Sequence, residues 1–176
     1  MNNFEKYLSP DRKKFDQDPL GYSALARHKW GVACMAAGFS VDIPKPATSE
    51  ELKNPILWLS QAHALSEAAV AVLRKEQEFE IMPLSVRSAC DSQYCAVGLM
   101  LVGYSLEICL KAMIIIREGF DGYIEIEKKN RHHRLHDLAK FIPDLSRKET
   151  SILRALTHYV YWAGRYPDPG SGREDD

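Results

Sequence analysis

A chain of 176 residues has room for one domain, because domains most often run to ~100–150 residues. Hydrophobic residues at 45% and charged residues at 27% exclude a mainly disordered chain. With 23 basic against 24 acidic residues the formal net charge is -1, which excludes a global field toward nucleic acid or an anionic membrane and leaves only a local patch for such a role.

The amino terminus, MNNFEKYLSPDRKKFDQDPL, is polar where a secretory signal needs an apolar stretch of ~7–15 residues, so a cytoplasmic location is expected. Residues 1–20 lack apolar periodicity and read as an irregular lead-in. A first helix is predicted from Tyr22 to Ala37, closed by Gly38, and the segment Ser40 to Ala47 with Pro44 and Pro46 reads as a linker. Thr48 and Glu51 have the spacing of a capping box, and Asn54-Pro55 is a second start signal. The helix that follows should reach Gln77, with Trp58, Ala62, Leu65, Ala69 and Val72 on one face. Pro83 opens a helix from Leu84 to Arg117 that is apolar on every side in its middle and should be enclosed by others. It stops in the turn Gly119 to Gly122. Ile124 and Ile126 fall in a segment that is either a short strand or irregular. A short helix from Leu135 to Phe141 ends before Pro143. The last helix, Arg147 to Gly164, puts Ile152, Leu156, Tyr159, Val160 and Ala163 on its core side, and a mobile tail covers 170–176. No fixed repeat and almost no strand signal occurs. The predicted fold is therefore all-α, an antiparallel helical bundle over 21–169 with an extra N-terminal helix.

The window Cys95 to Ile116 is long enough to span a bilayer, but Glu107 and Lys111 near its centre would each cost ~2.5–3.5 kcal/mol in lipid. A buried helix and no membrane contact are expected instead. Cys34, Cys90, Cys95 and Cys109 form no metal-binding spacing and read as free buried thiols.

Three segments carry a family resemblance. Gly103-Tyr104-Ser105-Leu106-Glu107-Ile108-Cys109-Leu110-Lys111-Ala112 places a Glu and, four residues on, a Lys in an apolar helix. His136-Asp137-Leu138 opens the short helix, and Tyr161-Trp162-Ala163-Gly164-Arg165-Tyr166-Pro167-Asp168-Pro169 closes the last one. In this order and spacing they resemble HEPN domains, in the branch with an Arg-Tyr-Pro-Asp motif, over residues 55–169. The resemblance implies a bundle that dimerises, in prokaryotic toxin–antitoxin, phage-defence or RNA-processing settings, with a nucleotidyltransferase or antitoxin as partner. It does not by itself imply catalysis.

The candidate ligand-binding residues fall in three groups. Glu107 and Lys111 meet on one helix face with Tyr104 a turn earlier, either as a buried structural ion pair or as the lining of a cleft for a nucleotide or RNA phosphate. Arg154, His158, Tyr161 and Arg165 fall along one side of the last helix, where arginine forks suit phosphate oxygens and histidine can move protons; a solvated polar face is the alternative. Lys128-Lys129-Asn130-Arg131-His132-His133-Arg134-Leu135-His136 is the dense basic patch, with Lys128, Lys129, Arg131 and Arg134 as candidate phosphate contacts. The imidazoles of His132, His133 and His136 beside Asp137 are not expected to hold a metal. The RNase members of the resembled family follow the closing Arg by a His four to six residues later, and none follows Arg165 here. No catalytic residue is therefore assigned beyond the candidates His158 and Arg165, and whether the chain is an enzyme stays open, with binding without cleavage the preferred reading. No phosphate loop, dinucleotide fingerprint, nucleophile elbow or metalloprotease motif occurs, so no cofactor is expected. The expected function is a dimeric RNA- or nucleotide-binding domain that does not cleave. A diverged metal-independent ribonuclease using His158 or His136, and a purely structural interaction module, are the alternatives.

Overall fold

The computed structural model describes residues 9–166, and helices account for 75% of them, with no strand among the described residues. The all-α expectation is met. The chain divides into two compact units, Met1–Leu52 and Lys53–Asp176. The expected mobile tail over 170–176 and the start of the lead-in lie outside the described residues.

The first unit holds α1 (Arg12–Gln17), α2 (Pro19–Ala24), α3 (Ala26–Ala36) and α4 (Ser49–Leu52). Two of these correct the irregular lead-in. Asp18 accepts from the Gly21 amide at 2.9 Å and Pro19 takes the first helical position, a start signal that outweighs the lack of apolar periodicity. The helix expected from Tyr22 breaks at Leu25, and Gly38 follows its end at φ 87°. Thr48 and Glu51 form the expected capping box at 2.8 and 3.1 Å.

The second unit is a bundle around one long helix. α5 (Pro55–Arg74) starts where Asn54 accepts from the Ile56 amide at 3.0 Å. It ends three residues before the expected Gln77. Its inward face is the one read from the sequence: Ala62 and Ala69 are buried, with Trp58, Leu65 and Val72 partly so. α6 (Leu84–Ile126) lies antiparallel to it, since the Ser105 hydroxyl donates to the Ala62 carbonyl at 2.8 Å while Gly98 meets Leu73 near the other end. The expected stop is a kink: Gly119, at φ 70°, breaks α6, and the chain resumes helically to Ile126. The segment expected as strand or irregular is thus helical, because Tyr123 at 2% exposure is the anchor that draws it onto the core.

A 3₁₀ turn (Glu127–Asn130) leads to α7 (Leu135–Leu138), extended by a second 3₁₀ turn (Ala139–Phe141) as expected. Then come α8 (Arg147–His158) and a π-helical turn (Tyr159–Ala163). Ser146 and Glu149 form a capping box at the start of α8. α8 also runs antiparallel to α6, with Gly103 opposite Leu156 and Val160, and Gly164 opposite Met100 and Ala96. A Cβ at Gly103 would lie 3.2 Å from the Leu156 carbonyl oxygen, so glycine lets the backbones approach. The core joins Leu110, Ile114 and Ile115 of α6 to Leu135, Leu138 and Leu156.

Three expectations about burial fail. Ile152 is 48% exposed and Leu153 packs on the core instead, because α8 rolls to bring Leu156 and Val160 against α6. α6 is not enclosed, since Met113 and Ile116 stay exposed where neither α5 nor α8 covers it. Of the four free cysteines only Cys34 is buried, and Cys95 is exposed. Among the described residues two helical stretches, Ser49–Arg74 and Leu84–Asn130, are long and apolar enough to cross a membrane by length and composition.

Candidate functional site

The site grows from the middle of α6. Its helical spacing stacks Lys111 one turn beyond Glu107, and the ammonium meets Oε1 of the carboxylate at 2.6 Å. Both side chains are largely buried, Glu107 at 6% and Lys111 at 12% exposure. A buried carboxylate has two oxygens to satisfy. The second is taken by His133 Nδ1 at 2.7 Å, from the loop before α7.

Chemistry fixes the proton in that bond. Glu107 is the anionic half of an ion pair, so Oε2 can only accept, and Nδ1 must carry a hydrogen. The His133 ring stands edge-on to Tyr104 at 6.0 Å and to Tyr161 at 5.5 Å between centroids. Its Nε2 has no partner among the described residues, and the side chain is 40% exposed.

The loop is held from behind as well. Leu135, fully buried, gives its amide to Thr157 Oγ1 at 3.0 Å, and Thr157 in turn donates to the Leu153 carbonyl at 2.7 Å. His132 Nδ1 accepts the Arg134 amide at 3.1 Å. Burial above all, with Arg134 beside it, holds the His132 imidazole below its ordinary pKa and so favours its neutral form.

The basic patch is partly neutralised from within. Arg131 pairs with Glu127 at 3.5 Å, and Arg134 with Asp137 at 2.6 Å. Glu127 also takes Lys53 at 2.5 Å, and Lys140 reaches Asp137 at 2.7 Å. The hydrogen bond from Lys53 holds Glu127 below the usual carboxylate range, and that from Lys140 does the same for Asp137. Lys128 and Lys129 are exposed and make no ion pair among the described residues.

The four last-helix candidates make no hydrogen bond or ring contact with one another among the described residues. From Tyr159 the helix widens, with the Gly164 amide bonding the Tyr159 carbonyl at 3.1 Å, so the spacing of an α-helix no longer applies beyond His158. Tyr161 alone turns to His133. His158 takes the Trp162 indole hydrogen on Nδ1 at 3.2 Å, and the exposed Arg165 lies against its own neighbour Tyr166. Arg154 is exposed and joins none of them. His136 has a buried Nδ1 without a partner among the described residues and an Nε2 4.0 Å from Asp137. His133 is the residue that sequence reasoning passed over: it lies 26 positions from Glu107, and nothing local marks it among three histidines. No group of three or more metal-binding side chains occurs among the described residues.

No family model matches this chain, and the search of curated proteins and that of solved structures likewise found no match.

Proposed function

We propose that the second unit is an HEPN-like domain that binds RNA or a nucleotide where the basic loop crosses α6. One observation carries this reading: the buried Glu107 anchors His133 in the segment that follows the 3₁₀ turn carrying Lys128 and Lys129, which are exposed and make no ion pair among the described residues. A pre-ordered cationic loop beside two tyrosine rings suits a phosphate chain with stackable bases. Arg131 and Arg134 add charge, though each already serves a carboxylate. The domain acts in the cytoplasm, as a symmetric dimer within a prokaryotic defence or toxin–antitoxin system. Apolar side chains exposed on α5 and α6, among them Ile56, Val70, Met113 and Ile116, support an isologous contact.

The test is fluorescence anisotropy with a single-stranded RNA oligomer at stepped salt concentrations. Binding should weaken steeply with salt, and the Lys128→Ala, Lys129→Ala double variant should lower the log–log slope by ~0.7 for each phosphate that a lysine no longer neutralises. No binding at low salt would leave the interaction-module reading. RNA shortened in the presence of chelator would replace the binding reading by the ribonuclease one.

A further inference from the structure

The histidine at the centre of this site can accept a hydrogen bond where its basic neighbours in sequence can only donate. Its neighbours in sequence, Lys128, Lys129, Arg131 and Arg134, carry ammonium and guanidinium groups, which can only donate. His133 is the opposite. Because Glu107 bonds Nδ1, the ring atom left to a ligand is Nε2, and in the neutral ring that atom is a lone pair. A phosphate oxygen, itself an acceptor, is repelled there. What fits Nε2 is a hydroxyl hydrogen positioned within reach of groups that hold phosphates. A ribose 2′-hydroxyl is such a group, since it lies next to the phosphodiester and both donates and accepts.

We infer that His133, held in one tautomer by Glu107, accepts a hydrogen bond from the ribose 2′-hydroxyl and makes the site select ribonucleotide over deoxyribonucleotide chains. This rests on the RNA-binding reading and sharpens it to one sugar. The division of labour is specific. Lys128 and Lys129 supply affinity that is blind to the sugar, and His133 supplies the discrimination. Glu107 is a positioning residue, because it touches the imidazole and not the ligand. Lys111 holds the other carboxylate oxygen and so acts one step further back. Tyr104 and Tyr161, perpendicular to the ring on either contact, keep the imidazole plane from turning its Nε2 inward.

The experiment compares three adenine homo-oligomers of equal length on the full chain: RNA, DNA, and RNA methylated on every 2′-oxygen. The methylated strand is the decisive probe. It keeps the sugar pucker and the oxygen of RNA but loses the hydrogen. RNA should bind about three- to tenfold more tightly than either of the others, the worth of one hydrogen bond to a neutral group. Glu107→Gln should erase that ratio, because an amide can donate to Nδ1 and so drive the hydrogen onto Nε2. His133→Ala should erase it as well. Lys128→Ala with Lys129→Ala should weaken all three strands by the same factor and leave the ratio intact. Methylated RNA binding as tightly as RNA overturns the inference on the wild-type protein alone, whatever the variants do. A ratio that survives His133→Ala overturns it too. If no strand binds at low salt, both this inference and the RNA-binding reading fall; if all three bind equally, the binding reading stands and only the inference falls.

Discussion

Lys111→Ala is the substitution whose effect follows most directly from the structure. It deletes an ammonium bonded at 2.6 Å to a carboxylate that is only 6% exposed. Water cannot replace it there without opening the seam between α6 and the loop. Breaking a buried pair by removing one partner costs ~3–5 kcal/mol, because the remaining charge stays desolvated. Glu107 keeps His133 on its other oxygen, so the lower end, about 3 kcal/mol, is expected. For a domain of this size that shifts the thermal midpoint by about 6–12 °C. Urea denaturation followed by circular dichroism at neutral pH measures it, with unchanged m-value as the check that unfolding stays cooperative. Lys111→Met combined with Glu107→Leu should recover most of the loss, since an apolar pair of similar volume avoids the desolvation altogether. A loss below about 1 kcal/mol for Lys111→Ala would be the behaviour of an exposed ion pair, and would refute the claim that this pair is buried.

Gly103→Ala should destabilise the second unit by about 1–3 kcal/mol in the same assay, because the added methyl meets Val160 and the Leu156 carbonyl; an unchanged midpoint would mean that α8 separates from α6 at no cost. Ser146→Ala should cost ~1 kcal/mol through loss of the cap on the Glu149 amide at 3.2 Å, and equal stability of the two proteins would show that the box contributes nothing. Asp137 supplies the pH prediction. Its carboxyl is held below its ordinary value first by the Lys140 hydrogen bond, so its stabilisation is full above the unfolded pKa of ~3.9 and is lost as pH falls through the lower folded value. Stability measured from pH 6 downward should therefore fall less steeply in Asp137→Asn than in wild type, and parallel curves would contradict the assignment.

Several helix boundaries were legible in the sequence where a local chemical signal marks the place, although the start at Asp18-Pro19 was missed in a segment without apolar periodicity. Thr48 with Glu51, Asn54 with Pro55, Gly38 and Gly119 act within a few residues of themselves, so their effects could be read without the fold. The Glu107–Lys111 pair was legible for the same reason, being one helical turn. Apolar periodicity likewise identified the inward face of α5 correctly, but it misjudged Ile152, because α8 presents nearly equal apolar residues at Ile152 and Leu153 and only the close approach at Gly103 selects between them. The site could not be read in this way. His133 is one of three histidines in a basic loop, and its bond to Glu107 spans 26 positions that the sequence does not connect. The widening of the last helix at Tyr159 turns Tyr161 toward that histidine and leaves His158 and Arg165 to local partners. Such pairings are settled by packing, because a buried carboxylate must find a second hydrogen-bond donor, and which donor arrives depends on how α7 docks, with Leu135 buried and its amide bonded to Thr157.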